Sequence, residues 1–446
     1  MNSFTQRMKE EIRSALGCTE PSAIALAVAK SAEILNKPVE EIELRVSENI
    51  LKNAMSVGIP GTKLAGIEIA AALGALAGRC DYLLEVLRDI TPEDIEKAQR
   101  MVTEKYVKVF LEDTRERLYI RAICKNGEDS VSTIIKKSHT DIHCICHNDE
   151  FLFVKDETEE ERQETGKEED ALSVSKIFHY IETVDIDELK FLQDTIETNL
   201  RIAKEGLENF YGMSVGKYLF QNIRDSEAKQ DAFATAAALT AAAVDARMAG
   251  CTLPVMSTTG SGNQGLTASL PVIAAGTAMH KSEEEILRGL ALSELITIHI
   301  KTYIGKLSSL CGCAIAASIG ASCGLVYLLG GGFHNIVYAI KNMIADISGL
   351  ICDGAKPGCA LKIATSVSAA TQCALLAVNN MEVSCMDGIV ADCVEQSICN
   401  LGNLGSRGMR ETDHVILDMM LQKSAGQVNA IAEAEIAFYS GRDSIV

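Results

Sequence analysis

The residues best placed for chemistry are cysteines. Cys18, in ALGCTEPSAIALAVAKSAEIL, stands just before an expected helix that runs to Leu35. Thr19 can cap that helix, Glu20 suits the positive end of its dipole, and Pro21 is tolerated in its first turn. A thiol there meets free N–H groups and the helix field, which favour its thiolate. Further along, KLSSLCGCAIAAS offers Cys311 and Cys313, and GLICDGAKPGCALKIATS offers Cys352 and Cys359 around a Gly/Pro loop. Loop thiols beside glycine can present sulfur to a metal with the backbone close by. The spacing is not that of a zinc C-x-x-C pair, and there is no second such pair. A [4Fe–4S] cluster normally takes four thiolates, and supplying three would leave one iron open as a Lewis acid. For any single one of the 15 cysteines, a small buried core residue is the competing reading.

Two polar loops accompany the thiols. In MSTTGSGNQGLTASLP, Ser257, Thr258, Thr259, Ser261, Asn263 and Gln264 lie among three glycines ahead of a helix. Unpaired N–H groups at such a start, with hydroxyls and amides, make an anion pocket; without a lysine it is not a Walker loop. In SENILKNAMSVGIPGT, Asn49, Lys52 and Asn53 could bind a carboxylate. His299, in an apolar helix, reads as a satisfied core histidine. Lys301 and Lys362 could carry pyridoxal phosphate, though neither has a distinguishing context. No Ser-His-Asp set can be assembled.

These pieces need a scaffold. At 446 residues the chain is long enough for two domains, or one with an insertion. Its net charge of −19 argues against nucleic acid or an anionic membrane as partner. Tryptophan is absent and aromatics are 5%, so Ala, Ile, Leu, Val and Met must build the core. The first residues alternate charge and apolarity and lack the continuous apolar stretch of a signal peptide. A cytoplasmic setting with reduced cysteines is therefore expected. Residues 307–340 carry no charge, but glycine, alanine, serine and the GGGFHN break point to closely packed buried helices rather than a membrane span.

The fold expected is α+β: a large, mostly helical domain (1–37 and 166–446) carrying a smaller α+β insertion (38–165). The insertion shows a strand in EEIELRV, a helix in KLAGIEIAAALGALAG, and a second helix opened by Thr91 and Pro92. YVKVFLE, LYIRAICK, DSVSTIIKK, DIHCICHN and EFLFVKD then read as an antiparallel meander. The acidic run DETEEERQETGKEED reads as a solvated connector.

Taken together, ALGCTEPSAIALA, KNAMSVGIPGT, DARMAGCTLPVMSTTGSGNQG and ICDGAKPGCALK resemble the L-cysteine desulfidases and their bacterial relatives, over nearly the whole chain and in the same order. From about Ala171 the chain also resembles, more distantly, the α-domain of the iron–sulfur L-serine dehydratases. The resemblance implies a [4Fe–4S] lyase that eliminates the β-substituent of a small amino acid. L-Cysteine would give sulfide, ammonia and pyruvate. It maps the cluster ligands onto Cys311, Cys352 and Cys359, with Cys313 competing for the first place. It makes Cys18 the base that takes the α-proton. Asn53, Thr259, Ser261, Gly262, Asn263 and Gln264 would then hold the substrate. Partners would be the small amino acid alone, with a homodimer allowed and no nucleic acid or membrane. L-Serine or another β-substituted amino acid is an alternative substrate. An iron–sulfur sensor or scaffold, a pyridoxal enzyme and a transporter are the readings from other classes.

Overall fold

Thr91 accepts a hydrogen bond from the Asp94 N–H while the Asp94 carboxylate accepts from the Thr91 N–H, and Pro92 is the first helical residue. That capping box is the helix start written in the sequence. The computed structural model describes residues 2–114, 116–155, 172–225, 231–305 and 307–423; the acidic run at 156–170 lies outside them. The chain begins with α1 (Ser3–Glu11), β1 (Ile12–Ala15), α2 (Thr19–Leu35), β2 (Glu41–Val46), α3 (Glu48–Ala54), α4 (Ile67–Ala77) and α5 (Pro92–Thr103). Strands β3 (Val107–Leu111), β4 (Tyr119–Asn126), β5 (Asp129–Lys136), β6 (Ile142–His147) and β7 (Glu150–Val154) follow. Then come α6 (Val174–Thr183), α7 (Gln193–Glu208), α8 (Val215–Asp225), α9 (Ala232–Met248) and β8 (Val255–Thr258). The remaining helices are α10 (Gly262–Ala278), α11 (Glu283–Ile304), α12 (Ala316–Leu328), α13 (Phe333–Ile347), α14 (Cys359–Val378) and α15 (Val394–Asn403). The fold is mixed α+β and mostly helical.

The sheet differs from a pure meander. Its order is β3-β2-β4-β5-β6-β7. Strands β4 to β7 pair antiparallel in succession, as their turn residues predict. But β3 lies outside β2 and runs parallel to it, because α3 to α5 form the crossover that a parallel pair requires. Ile42, Leu44 and Val46 alternate onto the helix-covered face and are fully buried with Ile120, Ala122 and Cys124. Burial of Ala23 to Ala29 on α2 completes that core.

The helices form a second core. There β1 pairs antiparallel with β8, from Ile12 opposite Thr258 to Ala15 opposite Val255, and Met8 of α1 is buried among helical residues. The first 37 residues thus serve both cores. Small residues let the helices approach: a Cβ on Gly206 of α7 would stand 2.0 Å from the Ala242 carbonyl oxygen of α9. The uncharged stretch 307–340 is a bridge at Leu310, the buried helix α12, a turn at Gly330–Gly332 and the start of α13. Among the described residues one helix, α14, is long and apolar enough to cross a membrane, and half of its apolar window is buried.

Helix α11 runs through this core and carries Glu294, fully buried. One carboxyl oxygen accepts from the Thr258 hydroxyl at 2.7 Å; the other has no partner. Burial pushes this carboxyl from 4.5 to about 8. Between those values the unfolded chain has released the proton while the folded chain keeps it, so stability falls as pH rises, by at most about 1.4 kcal/mol per unit. Glu294→Gln should flatten that slope. Its urea midpoint is expected to match the wild type near pH 4.5 and to exceed it at pH 8; an equal difference at both would refute the assignment.

Candidate functional site

Beside a third core cluster, which contains Cys18 and Cys311, the chain lines a partly open cavity of about 90 Å³, several times the ~10–15 Å³ that one water needs. Cys18 and Glu20 reach it from the start of α2, Asn53 from α3, His139 from the turn between β5 and β6, Arg247 from α9 and Lys301 from α11. Thr259, Ser261, Asn263 and Gln264 form one wall, and Cys311, Cys313, Cys352 and Cys359 form another. All the residues that the resemblance assigns to the site line this one cavity except Gly262; of the other polar-loop candidates, Asn49, Lys52, Ser257 and Thr258 do not. That glycine packs against Arg247, where a Cβ would stand 2.4 Å from Nε.

The thiols are gathered by backbone pairing. Leu310 and Ile351 form an isolated antiparallel bridge. Beside it the Cys311 N–H donates to the Leu350 carbonyl at 2.9 Å and the Cys352 N–H to the Ser309 carbonyl at 2.8 Å. Gly354 then turns with φ +91°, tight against the Lys52 carbonyl, and Cys359 opens α14. The Cys313 sulfur lies 3.4 Å from the Ser261 hydroxyl. A hydrogen bond from Cys313 holds the Cys311 thiol down at about 6, while burial pushes Cys359 up to about 11. Burial lowers Lys301 to about 8 against the raising influence of the neighbouring thiols.

Among the described residues no three His, Cys, Asp or Glu side chains converge on a point for a single metal ion. Cys311, Cys352 and Cys359 instead face a wider space, with Lys301 and Lys362 at its edge. Soft thiolates spread around a cavity, with cations to offset their charge, suit a metal–sulfur cluster better than one ion. The donor set therefore fits the [4Fe–4S] group that the resemblance implies. Lys362 does not read as a Schiff-base lysine: its ammonium is held by Asp353 and by the Ile351 carbonyl at 2.7 Å. His299 is a satisfied core histidine, 2.7 Å from Glu395.

The structure corrects the expectation for Cys18. Cys18, not Thr19, is the N-cap residue of α2 and makes no side-chain capping bond. Its S–H donates to Glu20 at 3.1 Å, and Glu20 also accepts from the Thr19 hydroxyl at 3.0 Å and the Asn53 amide at 3.0 Å. Burial, and then the negative charge of Glu20, raise the Cys18 thiol well above its ordinary range, with Arg247 opposing. The helix start does not win, because burial, and then the Glu20 carboxylate, outweigh it. Burial pushes Glu20 up as well, but the nearby His139 ring and the bond from Cys18 outweigh it and hold that carboxyl to about 2.

The loop wall is pre-ordered. Thr259 has φ +48°, a left-handed conformation costly for a β-branched residue. Gln264 donates to the Thr259 hydroxyl and to the Thr258 carbonyl. Asn263 is committed on both ends, accepting from Arg247 at 2.8 Å and donating to the Met248 sulfur at 3.3 Å.

Asn49 and Lys52 do not face a ligand. The buried Lys52 ammonium binds Asp413 at 2.5 Å and the Cys352 carbonyl at 3.0 Å, and Asn49 binds the other Asp413 oxygen at 3.1 Å. Burial pushes Asp413 up, but Lys52 outweighs it and keeps the carboxyl below its usual range. Sequence reading missed His139, Arg247 and Asp413 altogether. A lone arginine in an alanine-rich helix was a signal for Arg247; a histidine in a polar turn was none for His139. Lys52→Met should cost about 3–5 kcal/mol, because it strands a buried carboxylate. Urea unfolding of Lys52→Met, Asp413→Leu and the pair checks this: losses that simply add would refute the coupling.

With that geometry in view, comparisons with known proteins place the chain. Residues 81–418 match the family model for the serine dehydratase alpha chain, so the match begins well before Ala171 and takes in most of the sheet. A UPF0597 protein of Bacteroides fragilis is 45% identical over 93% of this chain and 97% of its own. One from Clostridium perfringens is 41% identical over 94% and 98%, and one from Caldanaerobacter subterraneus is 43% identical over 94% and 98%. The chain belongs to the serine dehydratase alpha chain family.

Proposed function

We propose that the cavity binds a small α-amino acid and eliminates its β-substituent, with L-cysteine as substrate and sulfide, ammonia and pyruvate as products. One observation carries this reading: Cys18, the polar loop at Thr259–Gln264 and the three thiols Cys311, Cys352 and Cys359 open into the same cavity. Those thiols would hold a [4Fe–4S] cluster. When bound, the cluster supplies a Lewis acid that stabilises the negative charge developing on the substrate carboxylate and polarises the leaving group.

The chain's own groups do the rest. Because Gln264 donates to the Thr259 hydroxyl oxygen, the Thr259 hydrogen is left to point at a ligand. With Ser261 and the first-turn N–H groups of α10, which have no partner inside the helix, it holds the carboxylate and orients the Cα–H bond. Once its own proton has been lost to solvent, the Cys18 thiolate takes the α-proton. The Cα–H electron pair becomes the Cα=Cβ bond, and the β-sulfur leaves as sulfide. The 2-aminoacrylate released tautomerises to an imine, which water converts to ammonia and pyruvate. L-Serine is the second reading, favoured by the family match: the same steps would expel hydroxide. All 15 cysteines are unpaired, which supports a reducing, cytoplasmic setting. A homodimer is compatible with this reading.

Protein purified and reconstituted without oxygen is expected to hold about four irons and four acid-labile sulfides per chain. It should release sulfide and pyruvate together from L-cysteine, with L-serine assayed alongside. Cys18→Ser should abolish turnover with iron unchanged; lost iron would make Cys18 a ligand instead. Negligible iron after reconstitution would sink the cluster. Iron without turnover would favour a sensor, with Cys313 as a fourth thiol.

A further inference from the structure

We propose that Glu20 and the side-chain carbonyl of Asn53 form the subsite for the ammonium group of the substrate. The proposal rests on the amino-acid reading of the cavity and adds the end of the ligand that this reading leaves unassigned. Glu20 is a buried carboxylate, 7% exposed, whose hydrogen-bonding partners are all neutral: a thiol, a hydroxyl and an amide. An anion removed from water without a cation is costly. The nearby positive groups do not hydrogen-bond to it. Arg247 gives one N–H to the Asn263 oxygen and one to the Gly17 carbonyl, and its buried Nε has no partner. His139 Nε2 stands 3.8 Å from Glu20, an ion pair only when the ring is protonated; it is beyond hydrogen-bond reach and has no hydrogen-bond partner.

Asn53 supplies the second observation. A carboxylate only accepts, so the Asn53 amide must turn its NH₂ to Glu20. Its carbonyl oxygen is left buried and unpartnered, in a residue that lines the cavity. A carboxylate beside an unsatisfied carbonyl oxygen presents acceptors without donors. That pattern complements a primary ammonium, which is all donors and positively charged, and it disfavours a hydroxy acid or a simple carboxylic acid.

The placement also resolves the state of Cys18. Its S–H binds the same carboxylate, so an ammonium seated there lies beside the sulfur and brings the adjoining Cα–H towards it. The cation offsets the Glu20 charge that opposes loss of the thiol proton. Cys18 is thus armed when the ligand carries an amine, and stays protonated in the empty cavity.

The test uses two unreactive probes, L-alanine and propionate, which differ in the ammonium group. Calorimetric titration of anaerobically reconstituted protein should show alanine binding more tightly. Glu20→Gln should weaken alanine by roughly 10- to 100-fold, the range for a lost charged hydrogen bond, and leave propionate unchanged. Asn53→Ala should weaken alanine by a smaller factor, again sparing propionate; it serves if Glu20→Gln does not fold, as judged by thermal melting. Equal affinity for the two probes in the wild type would overturn the proposal, as would an unaltered preference in a folded variant. Turnover is not read, so selective alanine binding by an inert protein would refute the elimination and leave the ammonium subsite standing.

Discussion

Burying a carboxylate is the constraint on which this architecture turns. Glu20 sits buried in the first turn of α2, and an ion taken from water there costs several kcal/mol unless its lone pairs are met. The groups that meet them come from separate places: Cys18 and Thr19 from the same helix start, and Asn53 from α3. The sheet's β5–β6 turn brings His139 alongside. Satisfying one anion therefore ties α3 to the start of α2 and fixes this part of the cavity wall.

The opposite wall obeys a related rule. A loop rich in cysteine and glycine has little apolar surface with which to hold itself in place, so ions and backbone bonds hold it instead. The Leu310–Ile351 bridge aligns two thiol-bearing segments. Lys52, anchored by Asp413, grips the Cys352 carbonyl from behind the loop, outside the cavity lining. The small residues of α7 and α9 let backbones pack closely, and a core without tryptophan has no bulky ring to hold them apart.

What could be read from the sequence was mostly local. The Thr91–Asp94 box, the β4–β7 meander and the alternation of Ile42, Leu44 and Val46 are set within a few residues. The position of β3 was not legible, because it depends on how three intervening helices fold back. The site divides the same way. Cys18, Cys311, Cys352, Cys359 and the Thr259–Gln264 loop declared themselves by residue type and neighbours, and they share one cavity. His139 and Asp413 did not, since their meaning lies in partners distant along the chain. The helix start beside Cys18 is visible in a sequence, whereas the burial of its thiol and a carboxylate folding back onto the sulfur are not.

The Lys52–Asp413 pair joins positions 361 residues apart, and this bears on how the protein is made. Closing so long a loop is slow, and its entropy must be met before the contact rewards it. On the ribosome, Lys52 waits through most of synthesis for its partner, and the Cys352 loop is unfastened throughout. A metal centre delivered to the growing chain would meet thiols not yet held in place. Assembly of such a centre belongs after chain completion, and an interruption of synthesis between Cys399 and Asp413 leaves a product with every cysteine present and Lys52 without the partner that anchors it.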